Sequence, residues 1–90
     1  MKPTEIEMVK FLESLRAPQC RRIVDTLHDK PLTEIQLIKR SKLSKRSIEL
    51  HLLPLIQAKL IVKKKQESSV YYALNKKLLK RNADWFAKFL

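Results

Sequence analysis

Apolar residues at 6, 9, 12 and 15 recur at helical spacing near the start of the chain, and Met8 and Phe11 widen that face. Thr4 followed by Glu7 fits a capping box, so the spacing predicts a first helix over about 4–15. Pro18 suits the opening position of a second helix over 18–28, with Ile23, Val24 and Leu27 facing inward. "DKPL" ends it. Thr33 with Gln36 repeats the capping pattern and opens a short helix over 33–40, whose apolar residues are Ile35, Leu37 and Ile38. "SKL" then reads as a turn, and Ser44 as the N-cap of a fourth helix. Ile48, Leu52, Leu55 and Ile56 form its inward stripe. The other side, near its start, carries Lys45, Arg46 and Glu49, with His51 further round.

The pattern changes after that helix. "LIVKKKQ" (60–66) is short and β-branched, and "SSVYYALN" answers it with Val70, Tyr72 and Leu74 alternating against Ser69, Tyr71 and Ala73. Two strands joined by a short polar tip make a hairpin. From 76 to 90 helical spacing returns through Leu78, Leu79, Asn82, Trp85, Phe86, Phe89 and Leu90. The order is helix, helix, helix–turn–helix, hairpin, helix. That predicts one domain over 1–90, mainly α with a small β-hairpin.

Charge then narrows the function. Lys and Arg number 20 against 9 Asp and Glu, a formal charge of +11 with pI near 10.1. Such an excess attracts polyanions, nucleic acid before anionic membrane. An enzyme is the least supported class: no glycine is present to build a phosphate-cradling loop, and no nucleophile triad or carboxylate pair stands out. Cys20 is the sole cysteine, and "TEIQLIKR" lacks Cys and His, so neither a metal site nor any other cofactor is expected. Cys20 reads as a small buried residue, or as an intersubunit disulfide if two copies meet near a dyad. One thiol and no secretory or membrane-spanning pattern point to a reducing, cytoplasmic setting.

Two short helices joined by a tight turn, the second with a polar N-terminal face, are what major-groove readers use. The first turns of that second helix approach the base edges, and its free amides favour phosphate. Lys63, Lys64 and Lys65 on the hairpin offer a second cationic contact, or blunt an edge strand against aggregation. Taken in order, "SLRAPQCRRIVDTL", "KPLTEIQLIKRSKLSKRSI", "HLLPLIQAKLI" and "VYYAL" resemble the ArsR-type winged helix–turn–helix family over residues 14–75. The resemblance implies a homodimeric transcriptional regulator that binds a near-palindromic operator. It places Ser44, Lys45, Arg46 and Ser47 at the groove, with Thr33 and His51 beside them and Lys63, Lys64 and Lys65 on the wing. His51 reads first as a hydrogen-bonded structural histidine and only second as a base reader.

Three residues depart from the family pattern. Lys59 replaces a helix-ending glycine, which predicts a strained left-handed cap. Glu49 repels phosphate unless it meets a cytosine amino group. Pro54 is expected to kink or shorten the fourth helix. The apolar stripes of the first and last helices are wider than one core requires, which predicts a dimer through Met8, Phe11, Trp85, Phe89 and Leu90. Two alternatives stay open: an architectural protein that binds duplex with little sequence preference, and a winged helix whose positive face meets an acidic protein.

Overall fold

Local capping chemistry sets where the helices begin. The computed structural model describes residues 2–90 as α1 (Glu5–Ser14), α2 (Pro18–Thr26), α3 (Glu34–Ser41), α4 (Lys45–Gln57), β1 (Ile61–Gln66), β2 (Ser69–Leu74) and α5 (Lys76–Ala87). Thr33 and Gln36 complete a capping box: Gln36 N–H donates to Thr33 Oγ1 at 3.3 Å, and Thr33 N–H to Gln36 Oε1 at 3.0 Å. At α1 only half of that pattern forms. Thr4 Oγ1 accepts from Glu7 N–H at 3.1 Å, but the Glu7 carboxylate pairs with Arg81 and so joins α1 to α5. Pro18 opens α2, and Arg21 closes the corner before it by donating to the carbonyls of Leu15 and Arg16 at 2.8 and 2.9 Å.

The core gathers one face of every helix onto the base of the hairpin. Ile23, Leu27, Leu32, Leu37, Ile48, Leu55, Leu60 and Ile61 are all buried there. α1 turns in a way its spacing alone did not indicate. Met8 and Phe11 enter this core, each only 4% exposed, whereas Ile6, Val9 and Leu12 face solvent. Met8 and Phe11 are therefore not part of an exposed surplus, contrary to expectation. The helix offers two overlapping apolar stripes, and the one carrying the large aromatic ring gains more by burial. The Glu7–Arg81 pair and buried Ser14, whose Oγ donates to Phe11 O at 2.7 Å, suit that same rotation.

α4 runs through Pro54 to Gln57, so the proline does not shorten it. Proline removes one intrahelical donor, opposite the carbonyl of Leu50, and in the last turn little helix remains to be lost. The helix end is held by other bonds. Lys59 N–H donates to Ile56 O at 2.9 Å and Leu60 N–H to Leu55 O at 3.0 Å, the two bonds of a Schellman motif. Leu60 and Leu55, both fully buried, supply its apolar contact. As expected, Lys59 is left-handed, with φ 62°. Asn75 then ties this corner to α5: its Nδ2 donates to Lys59 O at 3.2 Å and its Oδ1 caps Leu78 N–H at 3.2 Å.

β1 and β2 pair antiparallel from Ile61 with Leu74 to Gln66 with Ser69, leaving Glu67 and Ser68 as the tip. Glu67 takes φ 57° at the first tip position, where glycine is usual. Leu32, read from sequence only as part of a helix break, adds a third rung to the wing. It exchanges two backbone bonds with Tyr72, at 3.0 and 2.7 Å.

Candidate nucleic-acid interface

The helix–turn–helix is α3, a three-residue turn and α4. Lys42 leaves α3 in the left-handed region at φ 62°, its N–H bonded to Ile38 O at 3.0 Å. Ser41 Oγ then accepts from Leu43 N–H at 3.2 Å, which bends the chain into the next cap. Ser44 caps α4 by accepting from Ser47 N–H at 3.1 Å. Ile48, Leu52 and Leu55 face the core, so Lys45 and Arg46 project into solvent. The N–H groups of Lys45 and Arg46 lie in the first turn, where a helix offers donors and a positive dipole end to an anion.

The expected groove residues divide into two sets. Ser44, Lys45 and Arg46 are exposed, and both cations are free of ion pairs among the described residues. Ser47, His51 and Thr33 are half-buried and already engaged. His51 Nδ1 lies 2.8 Å from Ser47 O and 3.2 Å from Ser47 Oγ. A carbonyl can only accept, so the proton sits on Nδ1 and the ring is anchored to its own helix. That geometry favours the structural reading of His51. Thr33 spends its hydroxyl on the cap of α3.

Strand alternation splits the lysine run. Lys63 and Lys65 lie opposite Tyr72 and Val70, while Lys64 lies opposite Tyr71 on the other face of the hairpin. All three are exposed. Tyr72 itself is buried at the foot of the wing, and its hydroxyl is pushed above its ordinary pKa by burial and then by the carboxylates of Glu34 and Glu49. α3 packs against β2, so the wing and the helix–turn–helix share one support.

Sequence reading missed two features. Lys39, Arg40 and Lys42, at the end of α3 and in the turn, are exposed cations of the same motif. Leu50 and Leu53 also lie on the solvent side of α4. The helical spacing from Arg46 was the only available signal for them. Cys20 is buried against α4, with Sγ 3.6 Å from His51 O, and burial raises its thiol pKa despite nearby Arg21. A buried thiol in that place is unavailable for an intersubunit disulfide.

The chain is similar to the transcriptional repressor SdpR of Bacillus subtilis (strain 168), with 29% identity over 83 residues and 92% of each chain covered. Its backbone matches an ArsR-like transcriptional regulator from Rhodococcus sp. RHA1 with a TM-score of 0.86 at 19% identity, over 93% of this chain and 79% of that one. The chain has the winged helix–turn–helix fold of that regulator. Another solved structure, described as a possible transcriptional regulator for arsenical resistance, matches this chain with a TM-score of 0.72 at 29% identity. That match covers 87% of this chain and 81% of the other. No protein-family model matches the sequence. Among the described residues no helix is long and apolar enough to cross a membrane. Nor do three or more His, Cys, Asp or Glu gather there as a metal-binding group.

Proposed function

We propose that this chain is a transcriptional regulator that binds duplex DNA as a homodimer, reading sequence with α4 and holding phosphate with the wing. One observation carries the reading: the exposed, unpaired Lys45 and Arg46 stand at the amide-rich start of a helix whose opposite face is locked into the core. Arg46 is the candidate for a bidentate guanine contact, with Lys45 and Ser44 toward the backbone. Ser47, His51 and Thr33 hold the helix–turn–helix in shape beneath them.

The homodimer rests on α1 and α5. Ile6, Val9 and Leu12 cross the outer surface of α1, and Phe86, Phe89 and Leu90 are exposed at the end of α5. Ile6 is 71% exposed and Phe89 65%, although the inner side of each helix is packed. Pairing two copies through these helices covers both surfaces about a two-fold axis. A protomer of 39 × 27 × 21 Å is the right size to set two copies of α4 about one DNA turn, roughly 34 Å, apart. In this arrangement Met8 and Phe11 support the interface from behind, and Trp85, half-buried against the core, stands at its edge.

Binding of a duplex selected from random sequence, measured against competitor DNA at two salt concentrations, tests the function. Competitor-resistant binding is expected. Its loss to competitor would favour an architectural role, and absence of binding at low salt a protein partner. The wing adds a sharper arm. Because its lysines lie on two faces, either Lys64→Ala or the Lys63→Ala/Lys65→Ala pair should produce nearly all of the wing's effect on the salt slope, about 0.9 for each phosphate that is no longer neutralised. Equal effects per lysine would refute that arrangement. Sedimentation of the wild-type chain as a monomer at micromolar concentration would remove the dimer and the palindromic operator with it.

A further inference from the structure

Leu50 and Leu53 are 64% and 57% exposed on a helix that buries Ile48, Leu52 and Leu55. Residues four and seven positions beyond Arg46 fall on the same side of a helix as Arg46. Arg46, Leu50 and Leu53 therefore form one solvent-facing stripe, flanked by exposed Glu49. Elements α1, α2, α3 and β1 all pack against α4, yet none of them covers these two leucines.

The surroundings of the stripe restrict what could cover it. Lys45 and Arg46 stand at its start, and Lys39, Arg40 and Lys42 are exposed on the preceding helix and turn. An apolar partner would have to take these cations out of water without compensation. Duplex DNA supplies phosphates for the cations. In the major groove it also presents one apolar group on its base edges, the C5-methyl of thymine.

Resting on the DNA-binding reading above, we infer that Leu50 reads a thymine methyl group in the major groove. The helix rises 1.5 Å per residue, so Leu50 stands about 6 Å along the axis from Arg46. Base pairs are spaced about 3.4 Å apart, which puts the thymine about two steps from the base pair that Arg46 contacts. Leu53 lies a further turn along, past the N-terminal residues that reach base edges, and borders the contact without making it. The recognition stripe thus combines a charged reader with an apolar one.

Deoxyuridine differs from thymidine only by the missing methyl, so single thymine-to-deoxyuridine replacements in the selected duplex isolate this contact. The wild-type chain should lose about fourfold in affinity at one thymine per half-site, the effect of uncovering one methyl-sized group. L50A should bind more weakly to the thymine duplex and be indifferent to the replacement. L53A should keep the wild-type sensitivity. Leu50 is exposed, so L50A should keep the wild-type circular dichroism spectrum. Retained sequence-specific binding with no methyl-sensitive position, or undiminished sensitivity in L50A, overturns the inference and leaves DNA binding standing. A selected site without thymine near the Arg46 contact also overturns it. Failure of the wild-type chain to bind any duplex at low salt overturns both readings.

Discussion

Replacing Lys59 by glycine should make this protein more stable, although it removes a charge and a side chain. Lys59 is exposed, and its φ of 62° puts it in the left-handed region, where a Cβ approaches the following carbonyl. That conformation costs a residue with a Cβ about 1–2 kcal/mol. Glycine escapes the cost but makes the unfolded chain more flexible, which offsets about 0.4–1 kcal/mol. The balance is a gain of roughly 0.7 kcal/mol. For a domain of this size that corresponds to a rise in Tm of about 3–6 °C. The bonds at the corner (Lys59 N–H to Ile56 O, Leu60 N–H to Leu55 O and Asn75 Nδ2 to Lys59 O) are made by backbone or by other side chains, so K59G keeps them. K59A is the control: it loses the same charge and keeps the Cβ, so its stability should match wild type. Urea denaturation followed by circular dichroism, at one protein concentration because a dimer's stability depends on it, measures the difference. If K59G is no more stable than K59A, Lys59 does not carry the strain assigned to it.

The two faces of α1 should respond oppositely to substitution. Phe11→Ala should cost about 3–5 kcal/mol, a large share of such a domain's stability, whereas Ile6→Glu should leave protomer folding within about 0.5 kcal/mol and shift sedimentation toward the monomer. Denaturation and sedimentation of both variants check this, and a dimeric Ile6→Glu chain would count against the α1 interface. Stability should also fall as the solution becomes alkaline. Burial raises the pKa of both Cys20 and Tyr72, so the folded state holds their protons more tightly than the unfolded state does. Their contribution is fully present below the unfolded values and is lost as pH rises above about 9.0 toward the folded ones. Denaturation midpoints at pH 7.5 and pH 10 test the sign, with C20A expected to show a smaller drop than wild type.

Much of the fold was legible because it is written in short-range chemistry. Thr33, Gln36 and Ser44 satisfy helix amides a few residues away, and Pro18 marks a helix start, so these boundaries need no distant partner. The same holds for the strand-like segments around the polar tip, and for Lys45 and Arg46, since the inward stripe of α4 dictates which side its first turn exposes. The choice between faces was not local. α1 has two apolar stripes, and only packing against α4 and the ion pair with Arg81 decided that Met8 and Phe11 go in while Ile6, Val9 and Leu12 stay out. His51 became an anchored side chain through the geometry of its own turn, and Leu32 became part of the wing through bonds to Tyr72, forty residues further along the chain. The run of three lysines is uniform as a sequence but divided in the hairpin, because successive side chains on a strand point to opposite faces. Capping and periodicity act over a single turn and so belong to the sequence itself. Which of several apolar surfaces is covered depends on competition among all the elements for one core, and only the tertiary structure resolves that.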